Sequence, residues 1–119
     1  MIESPWIDYA RPGGGARVRL FCLPHAGGGA GSYRNWVAEL GPEIEVLPVQ
    51  LPGRETRFLE RPFTAIEPLL AELKEGLRPF LDKPFAIFGH SLGALIAFEL
   101  IRRLQSNGLV PLHLIVSGY

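Results

Sequence analysis

The sequence holds a single cysteine, Cys22, so no internal disulfide is open to it. Its formal net charge is zero, with 12 Lys and Arg against 12 Asp and Glu and no basic block. That balance removes the electrostatic ground for nucleic acid or an anionic membrane surface as partner. No apolar run approaches the ~20 residues that a bilayer-spanning helix requires, and the sequence is therefore not read as an integral membrane protein. Met1-Ile2-Glu3-Ser4-Pro5-Trp6 lacks the basic-then-apolar layout of a secretory signal, so the cytoplasm is the expected compartment. A G-x-x-x-x-G-K-S/T phosphate loop, an internal repeat and a low-complexity linker are also missing. After Ser91 there is no aspartate; Glu99 and His113 are the only later glutamate and histidine.

The 119 residues, 47% hydrophobic and 20% charged, describe one globular domain. It is organised around Phe85 to Leu104, where an apolar run ends in Gly89-His90-Ser91-Leu92-Gly93 and passes directly into a helical pattern. A G-x-S-x-G at a strand-to-helix junction has a mechanical reason. The sharp turn forces the middle residue into strained backbone angles and stands its hydroxyl at the end of the sheet. Gly89 and Gly93 leave room for the neighbouring backbone, which makes Ser91 the candidate nucleophile. The competing reading is a serine that merely caps the following helix, which would not need both glycines.

Residues 1–16 mix Pro5, Trp6, Tyr9, Pro12 and Gly13-Gly14-Gly15 without periodicity, and are read as a flexible arm with Trp6 as its anchor. Residues 17–119 form the domain. Arg17 to Pro24 starts with alternation and ends as a continuous apolar run, as in a strand buried on both faces of a parallel sheet. Cys22, inside it, reads as a small buried hydrophobe. Next comes His25-Ala26-Gly27-Gly28-Gly29-Ala30-Gly31, a glycine-rich loop between a strand and a helix. A phosphate cradle and the second donor of an oxyanion hole compete here; taken with the serine elbow, the oxyanion reading is preferred over the cradle and over a simple flexible turn.

Ser32 is expected to cap a helix carrying Tyr33, Trp36, Val37 and Leu40 on one stripe, stopped by Gly41-Pro42. Ile44 to Leu51 reads as a strand near a sheet edge because of Pro48. Pro52 to Arg57 follows as a turn, and the charges of Arg54, Glu55, Arg57, Glu60 and Arg61 are assigned to solvated surface. Thr64 and Glu67 suggest a capping box for a second helix whose apolar periodicity runs from Ile66 through Leu81. A third follows Ser91 and stops at Asn107-Gly108. His113 to Ser117 is a last strand. The alternation predicts an α/β fold, a parallel sheet with helices on both faces, and a ligand site beyond the carboxyl ends of the strands.

Leu23-Pro24-His25-Ala26-Gly27-Gly28, Leu51-Pro52-Gly53-Arg54-Glu55 and Gly89-His90-Ser91-Leu92-Gly93-Ala94 together make the chain resemble a type II thioesterase, from about Val18 onward. These are stand-alone α/β-hydrolases of polyketide and nonribosomal peptide assembly lines; medium-chain fatty-acid thioesterases are similar. The resemblance implies hydrolysis of acyl or peptidyl thioesters from the phosphopantetheine arm of carrier proteins, with no cofactor and no metal of the enzyme's own. It implies Ser91 as nucleophile and the backbone N–H groups of Ala26 and Leu92 as oxyanion hole, and assigns the proline-glycine-arginine stretch no chemical role. Triad partners in α/β-hydrolases follow the serine as Asp or Glu, then His. None of His25, His90 and His113 occupies the base's position in that pattern, so the chain resembles the amino-terminal half of such an enzyme, with acid and base expected beyond Tyr119. A carboxylesterase, lipase or acyltransferase using the same elbow stays open as an alternative, as does a carrier-protein binding module without turnover.

Overall fold

A computed structural model of the chain describes residues 4–11, 15–25, 27–57 and 59–118. Among them lie four strands and three α-helices: β1 Val18–Leu23, α1 Arg34–Glu39, β2 Ile44–Pro48, α2 Ile66–Leu77, β3 Phe85–His90, α3 Leu92–Ser106 and β4 Leu114–Ser117. The strands form one parallel sheet in the order β2-β1-β3-β4. The predicted α/β architecture is therefore present.

Alternation along the central strands sorts their side chains to two faces. Phe21 and Leu23 of β1, with Phe85 and Ile87 of β3, join Leu70, Leu73 and Leu77 of α2 and Ile96, Leu100 and Leu104 of α3 in one core. Leu20, Cys22, Val46 and Ala86 point the other way, onto Tyr33 and Val37. So α1 covers one face and α2 and α3 the other, as the continuous apolar runs of doubly covered strands require. Each fully buried leucine or isoleucine of these helices contributes roughly 1.5–3 kcal/mol of transfer free energy.

Element ends depart from the sequence expectations for identifiable reasons. The capping position of α2 is Ala65, not Thr64, and makes no side-chain bond, so the capping box is not formed. Ser32 does not cap α1 either: it lies in a 3-10 turn, Ala30–Tyr33, that leads into the helix. Pro79 lacks the N–H that would continue α2, which ends at Leu77 and passes into the 3-10 turn Arg78–Phe80. At the end of α3, Leu109 N donates to the Leu104 carbonyl at 2.9 Å and Gly108 N to the Gln105 carbonyl at 3.0 Å, with Gly108 at φ 79°. This is the left-handed stop expected of Asn107-Gly108.

Edge strand β2 ends at Pro48; Val49 N still donates to the Cys22 carbonyl at 2.9 Å, and beyond it the chain leaves the ladder earlier than Leu51. The described part of the N-terminal segment lies along it: Ile7 bridges Val49, Asp8 N donates to the Pro48 carbonyl at 3.1 Å, and Gln50 N to the Trp6 carbonyl at 2.8 Å. Trp6 itself is buried against Gly76 of α2, where a side chain would collide with the indole, and the Arg57 guanidinium lies 4.4 Å from its ring centre. At the opposite edge, Leu114, Ile115 and Val116 of β4 are exposed. No described helix is long and apolar enough to cross a membrane.

Candidate active site

Ser91 stands between the last residue of β3 and the first of α3 with φ 57° and ψ −116°. A serine at a positive φ is uncommon, and persists only where its surroundings impose it. The imposing contacts are backbone on backbone. A Cβ on Gly89 would collide with the Gly93 carbonyl, and one on Gly93 with the carbonyls of Leu23 and Pro24. The two glycines thus let β3, the first turn of α3 and the end of β1 converge on the turn. Ser91 N donates to the Ser117 carbonyl at 2.9 Å, which ties the elbow to β4 as well. Although Ser91 occupies the capping position of α3, its side chain makes no capping bond and its backbone is not extended. The helix-cap reading is thereby excluded.

Leu92 opens the 15-residue α3. Its N–H belongs to the first turn, whose donors have no partner within the helix and sit at the positive end of the helix dipole. Facing the elbow is the loop after β1. Gly28 N donates to the His25 carbonyl at 3.0 Å, closing a tight turn that contains Gly27 at φ 80°. Ala26, the expected second oxyanion donor, lies outside the described residues.

The histidines are accounted for individually. His25 and His90 meet edge to face with ring centres 5.7 Å apart, and His90 Nδ1 lies 3.3 Å from Ser117 Oγ. His113 precedes β4, and the register Ile87↔Leu114 and His90↔Ser117 sets it about four residues, roughly 13 Å at ~3.3 Å per residue, from the elbow end of the sheet. Glu99 pairs with Arg102 on α3 at 3.5 Å. Cys22 is fully buried, and burial pushes its thiol well above the ordinary range, so it is an inert core residue. Among the described residues no three His, Cys, Asp or Glu gather as a metal group.

The charges after Pro52 do not all behave as solvated surface. Arg54 Nη1 donates to the carbonyls of His25 at 2.8 Å and Gly28 at 2.6 Å. Glu55 accepts the Gly31 N–H at 3.1 Å, and Arg57 makes a two-pronged bond to Glu60 at 2.7 Å. Gln50, fully buried, accepts the Ala30 N–H at 3.1 Å. A glutamine inside the apolar Ile44 to Leu51 run was the available signal, because a buried amide requires partners. Beside Leu92, a cavity of about 230 Å³ is lined by Leu51, Phe63, Ile66, Leu69, Leu95 and Ile96 among others.

Residues 18–119 match the family model of the thioesterase domain. The chain belongs to the thioesterase family. It is 45% identical over 116 residues to a gramicidin S biosynthesis protein, GrsT, of Aneurinibacillus migulanus, covering 97% of this chain and 45% of that one. It is 43% identical to thioesterase PikA5 of Streptomyces venezuelae over 95% of this chain and 41% of the relative. Among solved structures, the type II thioesterase BorB from the borrelidin biosynthetic cluster superposes with a TM-score of 0.89 at 44% identity, covering 98% of this chain and 48% of that one. The thioesterase chain thus spans slightly less than half the length of these relatives.

Proposed function

We propose that these residues carry the nucleophile and oxyanion half of a serine thioesterase that hydrolyses acyl or peptidyl thioesters from the phosphopantetheine arm of carrier proteins in polyketide or nonribosomal peptide biosynthesis. The observation that carries this reading is the backbone of Ser91, held at φ 57° by two glycines that admit no side chain. Relatives named for gramicidin S and borrelidin biosynthesis support the substrate class.

In this mechanism Ser91 Oγ attacks the thioester carbonyl, forming a C–O bond while the negative charge moves to the carbonyl oxygen. The backbone N–H groups of Ala26 and Leu92 stabilise that charge. Collapse breaks the C–S bond, and the departing thiolate takes the serine proton by way of a base. Water then attacks the acyl-enzyme and releases the acid. The acyl portion fits the apolar cavity beside Leu92. In the α/β-hydrolase order the triad acid and then the histidine follow the serine, a pattern in which His25, His90 and His113 do not hold the base's position, so the base is assigned to a triad histidine outside residues 1–119, preceded by its acid. The phosphopantetheine belongs to the substrate, and a cytoplasmic location is part of the same proposal.

The test uses the complete protein with acyl-pantetheine thioesters and matching oxygen esters. Ser91→Ala should reduce thioester hydrolysis by roughly 10⁶-fold, as for loss of a triad nucleophile. Retention of most activity removes Ser91 from the mechanism. A strong preference for oxygen esters supports a carboxylesterase instead, and carrier-protein binding without turnover supports a binding module.

A further inference from the structure

Two consecutive side chains that the charge pattern assigns to solvent grip the glycine-rich loop. Arg54 Nη1 holds the His25 and Gly28 carbonyls at 2.8 and 2.6 Å. Glu55 accepts from Gly31 N at 3.1 and 3.2 Å and from Gln50 Nε2 at 3.3 Å, while Gln50 Oε1 takes the Ala30 N–H at 3.1 Å. Neighbouring side chains of an extended chain point to opposite sides. At Glu55 the backbone has φ 41°, and this left-handed turn brings both side chains to one loop. A non-glycine residue holds such an angle only where the surrounding bonds over-determine it.

We propose that Arg54 is a positioning residue for the oxyanion hole, fixing the peptide planes at both ends of the 25–28 turn through their carbonyls. In a planar trans peptide the C=O and N–H leave opposite edges. The donor expected from this loop, the Ala26 N–H, shares its peptide with the His25 carbonyl, so a grip on that carbonyl is a grip on the donor. The same oxygen also accepts the Gly28 N–H at 3.0 Å, and rotating that peptide would break both bonds. A loop rich in glycine has many backbone conformations to lose, which is why it needs an external clamp. Arg54 also lines the cavity beside Leu92, so a lost acyl contact would raise KM, whereas lost positioning lowers kcat. This gives a role to Arg54 of the Pro52-Gly53-Arg54 stretch, to which the sequence alone attaches no chemistry.

The inference rests on the serine thioesterase reading, and the experiment separates the two. In the complete protein, kcat and KM are measured on an acyl-pantetheine thioester. The inhibition constant is measured for an alkyl trifluoromethyl ketone, whose adduct with Ser91 carries an oxyanion. Arg54→Met should lower kcat roughly 10- to 100-fold, somewhat less than loss of an oxyanion donor itself. KM should stay within about threefold while ketone inhibition weakens by the same factor as kcat. Arg54→Lys, which keeps a donor of similar reach, should lose less in both. If Arg54→Met does not fold, Arg54→Gln, whose short amide does not reach both carbonyls, replaces it under the same thresholds. A kcat within about twofold of the unsubstituted protein, or a fall in kcat without weaker ketone inhibition, overturns the positioning role alone. Absence of Ser91-dependent hydrolysis in the unsubstituted protein overturns the thioesterase reading and this inference with it.

Discussion

Gly93, in the first turn of α3, is pressed against the Leu23 carbonyl at the end of β1, and a Cβ on it would also lie 2.7 Å from the Pro24 carbonyl. Both obstacles are backbone oxygens, which cannot swing aside as a side chain can. Gly93→Val should therefore cost about 3 kcal/mol or more, at the upper end of overpacking penalties. Equilibrium denaturation measures the loss, and thioester turnover should fall with it. Normal stability and turnover in Gly93→Val would argue against a tight elbow.

Gln50 gives a second handle on the loop. Its buried amide accepts the Ala30 N–H and donates toward Glu55 at 3.3 Å and Thr56 at 3.4 Å. Gln50→Leu keeps the volume and strands those partners, so a loss of roughly 1–3 kcal/mol is expected from unsatisfied polar groups. A urea titration reads it directly. An unchanged or raised midpoint would mean the amide is not structurally coupled to the loop.

Alkaline pH should destabilise the protein through Tyr33 and Cys22. Burial, the leading cause for each, raises both pKa values in the folded state. A raised folded pKa means that the native state holds its proton more tightly than the unfolded chain. The contribution is therefore complete below the unfolded values, about 8.5 for cysteine and 10 for tyrosine, and is lost as the pH rises toward the folded ones. Melting temperature should decline progressively above that range. Tyr33→Phe should flatten the decline while costing about 1 kcal/mol near neutrality, since it removes the 2.5 Å bond from the phenol to the Leu23 carbonyl. An equally steep decline in Tyr33→Phe would remove Tyr33 as a source.

The architecture was legible because its determinants are local. Apolar runs such as Leu20 to Leu23 mark doubly covered strands, the Leu69-Leu73-Leu77 stripe marks a helix, and Gly89 and Gly93 flank the serine at a recognisable junction. What the local pattern misjudged depends on contacts across the chain. Arg54 and Glu55 look like surface charges until β2 and β1 lie side by side and bring the turn after Gln50 over the His25–Gly31 loop. The capping signals at Ser32 and Thr64 failed for a related reason. A cap is worth about 1 kcal/mol, and packing of Ala30 and Tyr33 on one face and of Leu69 and Leu70 on the other outweighs it in setting where each helix begins.

The most direct measurement of the central claim is the mass of the acyl-enzyme. The complete protein is mixed with an acyl-pantetheine thioester, quenched in acid within the first turnovers, digested and mapped. The account predicts one acyl group per chain, on the peptide containing Ser91, with one equivalent of thiol released and no adduct in Ser91→Ala. An acyl group on another residue, or hydrolysis that proceeds with the same adduct in Ser91→Ala, would contradict it.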